Sequence, residues 1–202
     1  DLRTPLAGLR SAAETLRVHD QRLDVAERRE LLAAMESSIS RLTLMVSDLL
    51  DMSRLETGAV TPIADEVPLG EVVRRALVGL EGAERVQVAE LPTAYVDPGL
   101  LERVVANLAA NALRYSDSVE VVGDARAARV ELRVVDHGPG VEASDRARIF
   151  EPFQRRGDSG SGVGLGLAVA RGLTEALGGT LDATETPGGG LTMVLDLPGA
   201  ES

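Results

Sequence analysis

The sequence predicts an α+β protein in which an N-terminal helical hairpin precedes an α/β sandwich. Three observations predict this class. Apolar residues recur at helical spacing over residues 2–57, and short strand-like and helix-like runs alternate after Pro68. A stretch punctuated by glycine and proline separates the two patterns. We therefore expect a hairpin over residues 1–57, a linker over 58–67 and a compact domain over 68–202.

The composition excludes several classes of protein. With 44% hydrophobic residues among 202, the chain can bury a sizeable core. A net charge of -11 argues against a nucleic-acid partner, because such surfaces need clustered cations. No apolar run reaches about 18 residues, and the chain does not start like a signal peptide, so we expect it to be soluble. The lack of cysteine excludes disulfides and thiolate metal sites.

The sequence also contains no lysine, and this excludes one large class of nucleotide site. All 21 basic residues are arginine, so the glycine-rich loop followed by lysine that defines a P-loop cannot exist here. The glycines at 160, 162, 164 and 166 alternate and do not form Gly-x-Gly-x-x-Gly. A Rossmann phosphate loop is therefore excluded as well.

Two helices are predicted in the hairpin. The first carries one apolar stripe, made of Leu2, Leu6, Leu9, Ala13 and Leu16. Asp24 and Glu27 have the spacing of a capping box, and the helix that begins there runs about 50 Å to Gly58. Its stripe consists of Leu31, Met35, Leu42, Met45 and Leu49, reinforced by Leu32, Ile39 and Val46. One hairpin cannot bury two such stripes, so we predict a dimeric four-helix bundle.

The second domain is predicted to place helices over one sheet. Helical periodicity covers residues 69–81, 98–115 and 164–177. Strand patterns cover 86–89, 94–96, 119–122, 129–136, 180–184 and 191–197.

Three strings in this domain carry candidate chemistry. Asn107 and Asn111 are four residues apart, so both project from one helix face, and amide oxygens suit a hard cation such as Mg²⁺. Taken alone, the pair is more often a surface feature of a helix. Asp136 ends a valine-rich strand beside Gly138 and Gly140, where a carboxylate can accept a hydrogen bond from an exocyclic amine. Taken alone, that string is only a turn.

The third string is glycine-rich. Gly162, Gly164 and Gly166 run into a helix, an arrangement whose free backbone N–H groups suit a phosphate. Each string is weak by itself, and their order and spacing carry the argument. Together they resemble the nucleotide-binding boxes of sensor histidine kinases, in the ATPase superfamily that includes DNA gyrase. The matching segments are 107–116, 136–140, 149–155, 162–167 and 188–192.

The resemblance implies a Bergerat-type (GHKL-type) sandwich that binds ATP and Mg²⁺. On the phosphate side it implies that Asn111 binds the metal ion with Asn107 nearby, and that Arg114 and Tyr115 contact phosphate or sugar. Arg114 stands where the family often has lysine, which keeps the charge and changes its geometry.

On the adenine side, the resemblance implies that Asp136 selects the base and that Thr192 supports it. It also implies that residues 154–161 form a lid with Arg155 at its base. The backbone that receives the nucleotide would be that of Gly138, Gly140, Gly162, Gly164, Leu165 and Gly166.

The start of the chain resembles the family's phosphoacceptor helix, whose usual string is His-Asp/Glu-Leu-Arg-Thr-Pro-Leu. Here the string begins at Asp1, so the acceptor histidine would immediately precede it. The resemblance implies that Asp1 orients that histidine and that Thr4 positions water for dephosphorylation. His19, near a predicted turn, and His137, within the adenine string, are poor substitutes. As given, the chain is expected to bind ATP without phosphorylating itself.

The resemblance finally implies partners and a place in the cell. We expect a homodimer through the hairpin, a response-regulator receiver domain as phosphoryl acceptor, and a parent protein anchored in the inner membrane with this portion in the cytoplasm. A degenerate ATP-binding regulatory or phosphatase-only module is the alternative. A serine-specific regulatory kinase of the same superfamily is disfavoured, because it would not need the two long helices.

Overall fold

A computed structural model of the chain describes residues 3–19, 23–154 and 164–200. The first half is a hairpin of two helices, α1 (Arg3–His19) and α2 (Val25–Glu56). The capping box at the start of α2 is confirmed. The Asp24 carboxylate accepts from the Glu27 N–H at 2.8 Å, and the Asp24 N–H donates to the Glu27 carboxylate at 2.9 Å. Both groups satisfy N–H donors that the first turn of a helix leaves free.

The two faces of α2 have different surroundings within the single chain. Ser38 and Met45 are buried on the face toward α1, where Ala12 is buried too. A second stripe stays exposed, with Ile39 at 51% and Val46 at 50% of their full accessibility. Leu49, which the sequence places on the inward stripe, is also exposed at 41%, because the inward face continues from Met45 through Asp48 instead.

The second half contains three helices and seven strands within the described residues. They are, in chain order, β1 (Asp65–Pro68), α3 (Leu69–Ala76), β2 (Val86–Val88), β3 (Thr93–Val96), α4 (Pro98–Tyr115), β4 (Val119–Arg126), β5 (Arg129–Asp136), α5 (Gly166–Ala176), β6 (Thr180–Glu185) and β7 (Leu191–Pro198). Five strands form one sheet in the order β2-β4-β5-β7-β6, in which only the β2–β4 pair is parallel. The predicted α+β class is confirmed.

The core lies between this sheet and the helices α3, α4 and α5. On β5, alternate residues Val130, Leu132 and Val134 are buried, and the same alternation brings Asp136 to the helix side of the sheet. Leu101 and Leu108 of α4 are fully buried opposite them. The strand pattern therefore places a carboxylate at the boundary between sheet and α4.

Three predicted features of the fold were wrong in detail. The helix expected over 69–81 ends at Ala76, since Leu77 caps it and Gly79 turns the chain with φ +75°. The expected linker contains β1, which pairs antiparallel with β3 to form a second, two-stranded sheet. The strand expected to end at 122 continues to Arg126, paired with β5 along its whole length.

Candidate nucleotide site

Asp136 is the centre of the candidate site, and the backbone holds its side chain in one orientation. The carboxyl group is buried, with 4% of the residue accessible. Its Oδ1 accepts from the Gly138 N–H at 2.9 Å and from the Leu191 N–H at 3.1 Å. Within the described part of the chain, Oδ2 has no hydrogen-bond partner. One oxygen is thus fixed by two backbone donors, while the second is available to a ligand.

Glycines allow three segments of backbone to meet around this carboxylate. A Cβ on Gly138 would lie 2.6 Å from the carbonyl oxygen of Tyr115, at the end of α4. A Cβ on Gly140, which has φ +67°, would lie 2.9 Å from the carbonyl oxygen of Gly190. Gly190 itself has φ +119°, and a Cβ there would overlap the carbonyl oxygen of Asp136. Side chains at these positions would separate the strands of the site.

Three hydroxyl groups form hydrogen bonds next to this loop. Thr192 lies opposite Val135 in the β5–β7 register, and its Oγ1 is 2.9 Å from Oγ1 of Thr186, with both residues buried. The Ser116 hydroxyl accepts from the His137 N–H at 3.2 Å and donates to the Ser118 carbonyl at 2.7 Å. The threonine contact holds the turn between β6 and β7 against β7, and the serine contact joins the Asp136 loop to the end of α4.

The two asparagines lie on α4, half-buried on the face toward α2 and α5. A Cβ on Gly166 would lie 3.5 Å from Asn107 Oδ1, so the amide contacts the first residue of α5. Arg114 and Tyr115 are exposed at the last turn of α4. The structure thus brings the predicted amide pair, the aspartate loop and the start of α5 around one end of α4.

Among the described residues, no side chain caps the N-terminus of α5. Leu165 is buried and provides no side-chain cap for the helix. Gly164, with φ +75°, lies close against the preceding segment, since a Cβ there would be 2.5 Å from the Gln154 carbonyl oxygen. The Gly164 carbonyl accepts from the Phe153 N–H at 2.9 Å. The two ends of the expected lid are therefore held together at its base.

Some predicted site residues fall outside the described part of the chain. Asp1, Arg155 and Gly162 are outside the described residues, and for Thr4 only the helical backbone is described. Their assigned roles remain predictions.

Comparison with known protein families shows to which family the chain belongs. Residues 96–201, more than half of the chain, match the family described as histidine kinase-, DNA gyrase B-, and HSP90-like ATPase. Residues 1–58 match the His Kinase A (phospho-acceptor) domain. The chain belongs to the histidine kinase family.

Individual relatives agree with this assignment. The kinase chain is 47% identical over 215 residues to the sensor protein KdpD of Mycobacterium tuberculosis, a match that covers 100% of this chain and 25% of that protein. The chain thus spans about a quarter of the length of these curated relatives, which are all sensor proteins named KdpD. No helix in the described ranges is both long and apolar enough to cross a membrane.

Solved structures give the same fold. Full-length ShkA in complex with AMPPNP superposes with a TM-score of 0.71 at 29% identity, covering 99% of this chain and 44% of that one. The histidine kinase AdeS of Acinetobacter baumannii superposes with a TM-score of 0.73 at 23% identity, covering 99% and 98%. The second likeness shows the fold alone.

Sequence reasoning missed one set of polar residues next to the kinase site. Asp48 of α2 lies near Asn107 of α4. Burial raises the pKa of Asp48 to about 6, although Arg103 and Asn107 act to lower it, and the neighbouring Asp51 adds to the rise. Burial also raises the pKa of Asp51, again opposed by Arg103. The available signal was two carboxylates, three residues apart, on the inward stripe of an amphipathic helix.

Proposed function

We propose that this chain is the catalytic and phosphotransfer core of a sensor histidine kinase. It binds Mg-ATP, directs the γ-phosphoryl group to a histidine that precedes Asp1 in the family pattern, and passes it to an aspartate of a response-regulator receiver domain. It also dephosphorylates that regulator. The observation that carries the proposal is the Asp136 carboxylate, whose Oδ1 is fixed by two backbone donors and whose Oδ2 has no partner among the described residues, at a point where glycines let three backbone segments meet.

The adenine end of the nucleotide fits this pocket. Asp136 Oδ2 would accept a hydrogen bond from the exocyclic amine, because a buried ionised acceptor that is already oriented strengthens such a bond. The glycines at 138, 140 and 190 let the backbone segments around Asp136 approach one another closely, which keeps side chains out of the space that the base would enter. Thr192 would hold its side of the pocket in place through Thr186.

The phosphate end would lie at the junction of α4 and α5. Asn111 would donate its amide oxygen to Mg²⁺, and the uncapped first turn of α5 would offer backbone N–H groups to phosphate oxygens. When bound, Mg²⁺ neutralises charge on the phosphates. Arg114, and Arg155 in the lid, would add cationic contacts, since the chain has no lysine to do so.

We further propose a role for each part of the chain and a dimeric assembly. The hairpin of residues 1–57 would form the dimer and present the acceptor helix. Residues 58–67 would link it to the domain of residues 68–202, which would bind ATP. The exposed stripe of α2 supports dimerisation, because large apolar residues that recur on one helix face are typical of bundle interfaces. Leu32, Ile39, Val46 and Leu50 form this stripe. The parent protein would be an inner-membrane sensor with this portion in the cytoplasm.

Binding of Mg-ATP tests the site directly. We expect Asn111→Ala to abolish binding and Asp136→Asn to weaken it by about tenfold or more, as the loss of one charged hydrogen bond implies. Asp182→Asn, on an exposed position of β6, is the matched control and should bind as the original chain does. Unchanged affinity in both site variants would refute the assignment.

Phosphorylation tests the reaction. A chain carrying a histidine directly before Asp1, incubated with γ-labelled ATP, should acquire an acid-labile label, and replacement of that histidine by glutamine should abolish it. A folded dimer that binds ATP and acquires no label would favour the regulatory or phosphatase-only alternative.

A further inference from the structure

Arg85 lies directly before β2, at the end of the turn that follows α3. Because β2 pairs in parallel with β4, the residue that precedes β2 is brought beside the segment that joins α4 to β4. The Arg85 guanidinium donates from Nη1 to the Asp117 carboxylate at 3.0 Å. It also reaches two backbone carbonyl oxygens of this segment, that of Ser116 at 3.4 Å from Nη1 and that of Leu113 at 3.5 Å from Nη2. One side chain thus contacts three residues at the end of α4.

The contact of Arg85 with α4 has an electrostatic cause. The last turn of a helix leaves carbonyl groups without donors inside the helix, and these groups form the negative end of the helix dipole. The distances to Leu113 and Ser116 are long for hydrogen bonds, so the attraction comes mainly from the guanidinium charge that faces this end. The Asp117 side chain is fully exposed, and its ion pair with Arg85 therefore contributes little. Arg85 is a cap for α4 that another element of the fold supplies.

Gly82 leaves the space that this guanidinium occupies. The residue has φ +83°, and a Cβ on it would overlap Arg85 Nη2 and lie 2.8 Å from Nε. The Gly82 carbonyl accepts from the Arg85 N–H at 2.9 Å, so a tight turn holds the two residues together. A side chain at position 82 would therefore push the guanidinium off its place while the arginine kept its charge. The glycine and the arginine three residues later work as a unit.

The capped end of α4 is also in contact with the loop of the proposed nucleotide site. The Ser116 hydroxyl accepts from the His137 N–H at 3.2 Å. The Tyr115 carbonyl oxygen lies so close to the loop that a Cβ on Gly138 would be 2.6 Å from it. Gly138 in turn donates its N–H to Asp136 Oδ1 at 2.9 Å. A displacement of the end of α4 would therefore be passed to the carboxylate that is proposed to select adenine.

We propose that Arg85 is a positioning residue for nucleotide binding, which holds the end of α4 in the place that the Asp136 loop requires. The inference rests on the proposed function of the site. The hydrogen bonds of Arg85 go to residues 113, 116 and 117, so its effect reaches the loop through the end of α4. Loss or displacement of the guanidinium lets this end move, and the Asp136 carboxylate then loses its fixed orientation toward the base.

Two pairs of variants test this role. Arg85→Ala removes the cation, and its control, Asp117→Ala, removes only the exposed ion pair. Gly82→Ala displaces the guanidinium, and its control is Gly79→Ala in the same turn, where φ is +75° and a Cβ meets nothing within 4 Å. The two glycine variants share the strain of alanine at positive φ and differ in the collision. If Gly82→Ala acts through Arg85, the double variant should bind nucleotide no more weakly than Arg85→Ala does alone.

Equilibrium binding of a Mg-ATP analogue and the amide NMR resonances of the Asp136 loop are measured under conditions in which every variant is folded. We expect Arg85→Ala and Gly82→Ala to bind about fivefold more weakly than the original chain, and both controls to stay within about twofold of it. The resonances of the His137 and Gly138 amides should shift in the two test variants and stay in place in the controls. A merely structural role would lower the free energy of unfolding and leave both readouts unchanged.

The outcomes separate this inference from the proposed function. Unchanged affinity in Arg85→Ala, or equal affinities in the two glycine variants, would overturn the positioning role and leave the ATP assignment intact. Weaker binding with unmoved His137 and Gly138 resonances would overturn it too, because the loop would then not have responded. If Arg85→Ala does not fold, the glycine pair decides alone. An original chain that binds no Mg-ATP analogue would refute the proposed function, and the positioning role with it.

Discussion

Replacement of Gly190 by alanine tests two roles of the glycine-rich turn between β6 and β7. The turn contributes to the stability of the fold, and it orients the Asp136 carboxylate. Gly188, Gly189 and Gly190 all have positive φ, of +90°, +108° and +119°. A Cβ on Gly189 meets nothing within 4 Å, whereas a Cβ on Gly190 overlaps the Asp136 carbonyl and lies 2.8 Å from His137 Cα. Gly189→Ala is therefore a control with the same backbone strain and without the collision.

The expected magnitudes follow from these contacts. Strain at positive φ should cost about 1–3 kcal/mol of unfolding free energy in either variant. In Gly190→Ala the turn must also move, which breaks the hydrogen bond from the Leu191 N–H to Asp136 Oδ1, worth about 1.5–3 kcal/mol with its charged acceptor. That variant should lose about 2.5–6 kcal/mol of unfolding free energy in total.

Denaturant unfolding and equilibrium binding of a Mg-ATP analogue measure the two effects separately. Gly189→Ala should keep its nucleotide affinity, because Asp136 retains both backbone donors. Gly190→Ala should bind about tenfold to a hundredfold more weakly, since the adenine-facing carboxylate loses one of them. Equal affinities for the two alanine variants would show that the turn does not orient Asp136, and the account of the pocket would then be wrong.

Other predictions concern the hairpin and its contact with the second half. Asp24→Ala should destabilise α2 by about 1 kcal/mol in denaturant unfolding, while Val25→Ala, one residue on and exposed, should have little effect. Ile39→Glu should convert a dimer to a monomer in sedimentation, and a dimer that survives it would exclude the exposed stripe as the interface. The free energy of unfolding should depend on pH through Asp48, because burial raises the pKa of its carboxyl from 3.8 to about 6. The folded state is favoured at low pH and loses that advantage as pH rises from about 4 to about 6, so Asp48→Asn should flatten the pH dependence of denaturant unfolding over that range.

The parts of the fold that the sequence predicted well are those with local causes. The capping box at Asp24 depends on two side chains three residues apart, and α4 begins at an Asp-Pro pair whose aspartate accepts from the first-turn N–H groups. The alternation along β5 requires only that one face be buried, and it places Asp136 inward without knowledge of its neighbours. Local rules were sufficient in each case.

The parts that the sequence missed depend on partners distant in the chain. β1 has one buried residue, Val67, and exists because it pairs with β3, about thirty residues away. Such a segment carries no two-residue period and resembles a linker. The contact of Arg103 with Asp51 joins residues 52 apart in sequence, so neither spacing nor composition could bring them together.

In the candidate site, too, the sequence predicted the features with local causes and missed those that depend on distant partners. The Asp136 loop could be located from its glycines, but the sequence could not show that Leu191 donates to the carboxylate or that Gly190 lies against its backbone. Those facts follow from the β5–β7 pairing. The roles assigned to Asn111, Arg114 and Thr192 rest on the family pattern together with their positions in the structure, and the binding experiments above test them.

The continuity of α2 gives the hairpin a physical route to the nucleotide site. Ser38 and Met45 face α1, and the same stripe continues through Asp48, Met52 and Leu55 to the second half. One helix therefore carries both contacts on one face, with no break between them in its 32 residues. Because successive residues of an α-helix differ by about 100° around the axis, a rotation of α2 by a fraction of that angle would alter its packing on α1 and carry Asp48 and Asp51 away from Arg103. A change in hairpin packing would thus be carried along the helix to the contact of Met52 and Leu55 with the second half.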